Sequence, residues 1–442
     1  MTNLRCEEYA ARLGRLIAEK TVSVLGVTDG EGFPTFRELL AREFPHLFGV
    51  AECELIGGAL LLRLRGEETG KLPYLFMNHH DVVEAPGEWT HPPFAGEVSD
   101  GRIWGRGVLD TKGGLFAMLS AADEVVAEGV PLPRDLYFFS SCNEETTGAS
   151  ADAASALLAE RGLRFALVLD EGGMILSEPI GGAKGYFAMV GVGEKGFANL
   201  KFTARSRGGH ASTPGKGTPL VRLGQFMAEV EKHEPFRTEI SPTVCEMFSR
   251  LGGSMDGGLG FVLSHPKMFA PILKKAIPSV SPTAGAMLRT TLAFTVASGS
   301  QGANVLPREA YVIANMRYSH HEGKDASIEA IRKIAEKFGI ETEVIQDGFS
   351  SSLTDWHSKG FSAVEDAVRA VFPDVKTVPY VMAAASDCRY MGRVSDCCLR
   401  FAPFKIDSAQ LATVHGVDEN LNISTLADAV DFYKYLMQIA EN

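Results

Sequence analysis

The sequence has no apolar run of transmembrane length, no internal repeat and no low-complexity tract. That pattern excludes a helical membrane span and a solenoid. Positive charge is in the minority: Lys+Arg 43 against Asp+Glu 55 leaves a net charge of −12. The balance speaks against nucleic acid and against anionic membranes as partners. The opening residues, Arg5 through Glu8, are charged and no apolar core segment adjoins them, so no signal peptide is expected. Cysteine is scarce and unpatterned, an odd 7 in all, with Cys397 and Cys398 adjacent and Cys142 just after an apolar strand pattern. Such spacing writes no disulfide framework, and a reducing, cytoplasmic setting is expected.

The chain is long enough, at 442 residues with 45% hydrophobic content, for two domains with sizeable cores. Strand-type runs (Leu60 to Leu64, Tyr74 to Met77, Leu136 to Phe139, Ala166 to Leu169) alternate with helical periods (Thr35 to Phe44, Gly113 to Glu128, Ser150 to Glu160). Alternation of this kind predicts an α/β fold whose mostly parallel sheet is covered on both faces. The pattern changes near Gly193. Phe197 to Arg205 reads as a half-exposed strand with Leu200, Phe202 and Ala204 on one face. Thr218 to Glu231 reads as a helix, Ala310 to Met316 as a strand, and Ile328 to Phe338 as a helix. The stretch from Ser241 to Ala286, rich in Gly, Pro and Met, fits neither period. Strand and helix return from Ser362 to the end. One domain is therefore expected from 1–195 and 349–442, interrupted by a β/α insertion over 196–348.

Five segments end in residue types that bind metal: Asn78-His79-His80-Asp81, Gly107-Val108-Leu109-Asp110, Asn143-Glu144-Glu145, Leu169-Asp170-Glu171-Gly172 and Val414-His415-Gly416. Several follow an apolar strand run, where open α/β sheets place their ligands. Alternation along a strand sends His79 and Asp81 to one face and His80 to the other. His79 then reads as a ligand and Asp81 as the carboxylate that fixes its tautomer. Asp110 stands where a helix begins and could be a plain N-cap, but Gly105, Gly107, Gly113 and Gly114 crowd it, which suggests close backbone approach. Of Glu144 and Glu145, one can bind metal while the other handles a proton. Either Asp170 or Glu171 could ligate, and spacing does not choose. His415 and His210, the latter in Gly208-Gly209-His210-Ala211-Ser212, are loop histidines by themselves.

Taken in order, these segments resemble the M20 family of metallopeptidases and aminoacylases over nearly the whole chain. The carboxypeptidase S-like branch is the nearest in pattern, through Val168-Leu169-Asp170-Glu171-Gly172-Gly173, Glu194-Lys195-Gly196, Gly209-His210-Ala211-Ser212-Thr213-Pro214 and His415-Gly416-Val417-Asp418-Glu419. The resemblance implies a zinc-peptidase-like mixed sheet covered by helices on both faces, with an inserted α+β lid domain that serves dimerisation. It implies two Zn²⁺ per subunit, with Mn²⁺ or Co²⁺ also suited to such carboxylate-rich donors. His79 and Asp170 would hold one ion, Glu145 and His415 the other, and Asp110 would bridge them through a segment that carries a cis bond after Asp110. Glu144 would be the general base and Asp81 would orient His79. His210, from the lid, would stabilise the oxyanion, in some relatives across a homodimer. Asn304 resembles a lid asparagine near substrate, and Arg317 and Arg389 resemble residues that meet a substrate carboxylate. Asn78, Glu84-Ala85 and Asn143 depart from the family's usual residues, and none of them removes a ligand or the base.

The implied activity is hydrolysis of an amide or peptide bond next to a free α-carboxylate, in a short peptide or an N-acyl amino acid. A dipeptidase with a charged N-terminal pocket is the alternative enzyme. A catalytically silent homologue serving in binding or assembly is the alternative of another class, and Glu144 beside a full ligand set counts against it.

Overall fold

The computed structural model describes residues 2–67, 70–280 and 282–439. Its larger sheet has ten strands. Nine run in the order Glu52–Ile56, Ala59–Leu64, Leu136–Ser141, Tyr74–His79, Leu167–Asp170, Cys398–Arg400, Tyr186–Glu194, Ile175–Ser177, Lys405–Ile406, and Val375–Met382 pairs with Tyr186–Glu194 off that path. Leu136–Ser141, Tyr74–His79, Leu167–Asp170 and Cys398–Arg400 are parallel neighbours. The outer pairs are largely antiparallel. The sheet is therefore mixed, as the resemblance implies, with a parallel centre.

Period-2 alternation feeds two cores from the same strands. Leu60, Leu62, Tyr74 and Phe76 turn to one face, where Thr2–Ala18, Lys112–Ala127, Lys359–Val371 and Ser424–Gln438 cover them. Leu61, Leu75, Met77 and Phe139 turn to the other, under Ala149–Glu160. Both faces are dry, which is why these strands read as nearly continuous apolar runs.

A separate four-stranded antiparallel sheet runs in the order Thr291–Ser298, Glu309–Tyr318, Gly196–Arg205, Glu341–Asp347. Ala198, Leu200, Phe202 and Ala204 point into its core, packed against Leu223 and Phe226 of one helix and Ile328 and Ile331 of another. The strands around 200 and 313 pair directly, with Lys201 opposite Ile313.

The stretch that fits neither period in the sequence is helical. It forms Pro242–Gly252, Gly257–Ser264, Ala270–Val280 and Pro282–Leu288. Gly and Pro punctuate it, between the helices and inside them at Pro278, and mask the period of helices at most 11 residues long. Val244, Met247, Phe248 and Leu251 pack on Phe187, Met189 and Val378, so this block leans on the large sheet, not on the four-stranded one. The strand Val375–Met382 also escapes a sequence reading because Pro379 sits inside it. It pairs on one side only, and an edge tolerates a residue without an N–H.

Candidate active site

Three parallel strands deliver the chemistry to one edge of the sheet. His79 closes Tyr74–His79, Asp170 closes Leu167–Asp170, and Glu144-Glu145 follow Leu136–Ser141 in the turn before Ala149–Glu160. The register pairs His79 with Ser141, so the glutamate turn starts beside the histidine. Asp110 arrives on the loop before Lys112–Ala127, and the Asp110–Thr111 bond is cis.

His79 is buried, and its Nδ1 lies 2.9 Å from the Asp81 carbonyl oxygen and 3.5 Å from the Asp81 carboxylate. Donating Nδ1–H to these oxygens leaves Nε2 as the ring atom free for a metal. Nε2 stands 2.9 Å from Asp110 Oδ1. The other Asp110 oxygen, Oδ2, is 3.0 Å from His415 Nε2, which is also 3.1 Å from Glu145 Oε2. His79, Asp110 and Glu145 offer ligand atoms that all lie within 4.8 Å of one another. Imidazole and carboxylate in this density suit a dication, so the residues present fit a metal. Burial raises the Asp110 carboxyl, but His415 and His79 outweigh it and hold it below the ordinary carboxylate range. His415 is pushed up to about 10 by its hydrogen bonds with Asp110 and Glu145.

Asp81 does more than orient a ring. Its Oδ1 accepts from the Glu144 backbone N–H at 3.2 Å and its Oδ2 from that of Glu145 at 3.1 Å. One buried carboxylate thus fixes both His79 and the glutamate turn. Glu145 touches His415, whereas the Glu144 carboxylate has no hydrogen-bond partner among the described residues. Burial raises Glu144 well above the usual carboxylate range, the His79 charge opposes this, and Asp387, Glu145 and Asp110 add to it. A half-buried carboxylate with raised affinity for a proton is suited to general-base work.

Asp170 and Glu171 divide differently. Asp170 is buried, its Oδ1 accepting from the Glu171 N–H at 2.9 Å and its Oδ2 from the Cys388 N–H at 2.8 Å. Burial pushes it up to about 6. Burial, then the charges of Asp110, Asp170 and Glu144, raise Glu171 well above its usual range. Both carboxylates border the cluster, outside the tight trio.

Arg317, on Glu309–Tyr318, lies over the Phe197 ring at 5.5 Å and donates to Asn315 at 3.1 Å. Burial lowers its pKa and the opposing Arg389 charge lowers it further. Arg389 lies over Tyr390 at 4.9 Å. Neither guanidinium forms a carboxylate ion pair among the described residues, and Arg317, on the four-stranded sheet, feels the charge of Arg389, on the short helix Asp387–Arg393, with the Glu194 charge offsetting part of it. His210 and Asn304 are brought together but not to the cluster. Gly209–His210 pairs with Val305–Leu306, and Ala211 N–H donates to the Asn304 carbonyl at 2.9 Å. His210 is exposed, and its Nδ1 accepts from Ser212 N–H at 3.1 Å, which leaves Nε2 outward.

Sequence reasoning missed the anchor of the Asp110 loop. Glu419, fully buried, accepts from the Gly107, Leu109 and Asp110 backbone N–H groups and from Arg106 Nη1 at 2.7 Å. Arg106 Nη2 donates to the Gly416 carbonyl at 2.8 Å. This pair ties the loop carrying Asp110 to the loop carrying His415. The only signal for it was that both residues lie within four positions of a ligand. Asp387 was also missed. It is buried, with Ser141 as the side chain beside its carboxylate, and burial pushes it up to about 7.

The profile of Peptidase family M20/M25/M40 matches residues 75–439. The chain belongs to this family. It is 30% identical to a probable carboxypeptidase S-like 2 of Dictyostelium discoideum, covering 100% of this chain and 86% of the relative. It is 31% identical to an N-fatty-acyl-amino acid synthase/hydrolase of Homo sapiens, over 86% of this chain and 76% of the relative. Its fold is shared with an M20 family metallo-carboxypeptidase from Sulfolobus solfataricus, with a TM-score of 0.69 at 17% identity and 98% of each chain covered. Human carnosine dipeptidase 1 shares it as well, with a TM-score of 0.68 at 15% identity, over 99% of this chain and 96% of that one. Members of this family are metallopeptidases, and the clustered ligands accord with that. No helix among the described residues is long and apolar enough to cross a membrane.

Proposed function

We propose that this M20 member is a dinuclear zinc hydrolase that cleaves an amide or peptide bond next to a free α-carboxylate, in a short peptide or an N-acyl amino acid. The observation that carries the reading is Asp110 set between His79 and His415, with Glu145 beside it and Glu144 left free. His79 and Asp170 would hold one ion, Glu145 and His415 the other, with Asp110 shared. Zinc bound there supplies a Lewis acid that polarises the scissile carbonyl and activates water. Glu144 takes the proton of the attacking water and returns it to the leaving amine. Asp81 keeps His79 in the ligating tautomer and holds the backbone of Glu144 and Glu145. Arg317 and Arg389, neither of them in a carboxylate ion pair among the described residues, receive the substrate carboxylate.

The relatives named above, a carboxypeptidase and an N-acyl-amino acid hydrolase, support the same bond type. Residues 196–348 act as the lid and carry His210 and Asn304 toward substrate bound in the catalytic domain of 1–195 and 349–442. His210 Nε2 faces outward here, so it would meet the carbonyl after lid movement or across a homodimer. The cysteines, most of them buried, suit a reducing cytoplasm. The test is metal analysis of the purified chain together with a screen of N-acyl amino acids and dipeptides. The expected result is two bound ions and turnover only of substrates with a free α-carboxylate. Preference for carboxyl-amidated substrates would reject the reading.

A further inference from the structure

Acidic and basic residues are segregated in this acidic chain. From Gly257 to Arg308 there is no Asp or Glu, while Lys267, Lys274, Lys275, Arg289 and Arg308 all fall there. The first half of this stretch is the helical pair Gly257–Ser264 and Ala270–Val280. One side of the pair is seated: Leu263 and Leu273 are buried in the cluster that includes Phe187, Met189 and Val378. The other side is apolar and bare. Leu259 is 54% exposed, Phe261 55%, Met268 61% and Ile272 61%. Phe261 lies on the first helix, Met268 in the turn that joins the two and Ile272 on the second, and Phe261 packs on Phe269 of that turn with centroids 5.9 Å apart, so the bare side chains follow one continuous segment. Phe261 packs on His265 with ring centroids 4.6 Å apart, which holds the ring at the surface.

Four large apolar side chains more than half exposed within 14 residues, 259 to 272, are not the scatter of single residues that every surface shows. Lysines flank the stripe, Lys267 and Lys275 exposed and Lys274 half-exposed, and none of the three makes an ion pair among the described residues. The acids beside it are paired: Asp256 is neutralised by Lys184, and Glu246 and Glu365 share Arg250, which leaves one negative charge against the three lysines. The patch is therefore locally cationic, although the chain carries −12 overall. Repulsion from the rest of the surface is screened beyond about 8–10 Å, so the charge within that distance decides what docks. Lysines beside exposed aromatic and aliphatic side chains match an interface whose anionic groups overlie hydrocarbon.

We propose that the exposed face of Gly257–Ser264 and Ala270–Val280 is a docking site for an anionic lipid surface. Leu259, Phe261, Met268 and Ile272 enter the acyl boundary, and Lys267, Lys274 and Lys275 meet the headgroups. One strand connects the block with the carboxylate loop of the site. The block packs on Val378 of Val375–Met382, and the last residue of that strand, Met382, fills the space where a side chain on Gly172, next to Glu171, would stand. Docking through it would bring the site to the surface of a lipid phase without any segment crossing it.

The test is cosedimentation of the full chain with vesicles of equal parts phosphatidylcholine and phosphatidylglycerol, against vesicles of phosphatidylcholine alone, at low and high salt. Two variants are compared, Phe261→Ser with Met268→Ser and Ile272→Ser, and Lys267→Glu with Lys274→Glu and Lys275→Glu. Thermal melting and mass by light scattering are measured for each. The expected result is salt-sensitive binding to the anionic vesicles, weakened at least about 10-fold in both variants, with melting and mass unchanged. Binding that is absent in the wild type, or equal in the variants, overturns the proposal. A serine variant whose mass falls while the wild type ignores vesicles assigns the face to a second copy of the chain and overturns it too.

Discussion

His79 and His415 meet the same carboxylate through its two oxygens: His79 Nε2 lies 2.9 Å from Asp110 Oδ1 and His415 Nε2 lies 3.0 Å from Asp110 Oδ2. The two imidazoles are 336 positions apart in the chain (415 − 79), so only the fold brings them together. A carboxylate with one oxygen toward each imidazole is shaped to share two cations. Asp110→Asn keeps the side-chain volume and removes the charge. It is expected to leave less than one bound ion after dialysis, where the wild type keeps two, read by elemental analysis. Retention of both ions would take Asp110 out of the bridge.

The division between Glu144 and Glu145 gives an opposite pair of outcomes. Glu145 contacts His415 and Glu144 does not. Glu144→Gln should keep the metal and lower kcat by about 10²–10⁴-fold. Glu145→Gln should lose metal along with activity. If Glu144→Gln is the variant that loses metal, the roles are reversed.

The legibility of this fold in its sequence was uneven for physical reasons. Strands dry on both faces announced themselves, because burial leaves Tyr74-Leu75-Phe76-Met77 and Leu136-Tyr137-Phe138-Phe139 no polar choice. His79, Asp170 and the pair Glu144-Glu145 stood out because they end or closely follow such runs, whereas Asp110 and His415 sit in loops and drew notice only with the others. What stayed hidden was whatever depends on tertiary neighbours. Asp81 holds two backbone amides 63 and 64 residues away. Glu419 collects donors more than 300 residues upstream. No local period encodes either. The helices of 242–288 were hidden for another reason, since they are at most 11 residues long and Gly and Pro recur between and inside them, as Pro278 does within Ala270–Val280, so breaker residues masked the period.

Glu419 supplies a third prediction. Its carboxylate accepts from Arg106 and from three backbone N–H groups in a dry setting. Breaking a buried pair by removing one partner costs about 3–5 kcal/mol, because the remaining charge stays buried. Glu419→Ala should show that loss in urea unfolding, together with weaker metal binding as the Asp110 loop slackens. Adding Arg106→Met removes the stranded charge and should recover part of the stability but not the metal affinity. Equal stability of the single and double variants would show that Arg106 does not depend on Glu419.

Arg317 and Arg389 set substrate preference in this reading. Charge-assisted hydrogen bonds to a carboxylate contribute roughly 1.5–3 kcal/mol, so Arg389→Met or Arg317→Met should lower kcat/KM by about 10- to 100-fold on a substrate with a free carboxylate. On the corresponding amide the wild type and the variants should differ little, since neither has a carboxylate to hold. A variant that loses activity equally on both substrates would make the arginine structural.

The last prediction concerns a residue the single chain leaves outside its own site. His210 is exposed, with Nδ1 engaged by the Ser212 N–H and no hydrogen bond to the metal cluster. A polarised carbonyl needs a donor on the side away from the attacking water, and removing such a donor costs about 10²–10³-fold in kcat. His210→Ala should show that loss with metal content unchanged. Asp110→Ala should be inactive for the separate reason that it cannot hold metal. If a homodimer shares its sites, mixing the two variants creates some sites with an intact cluster from one subunit and an intact His210 from the other. Activity should then return in proportion to the mixed dimer. Mixed dimers verified by mass that stay inactive would place His210 in cis, reached by closure of the lid within one chain.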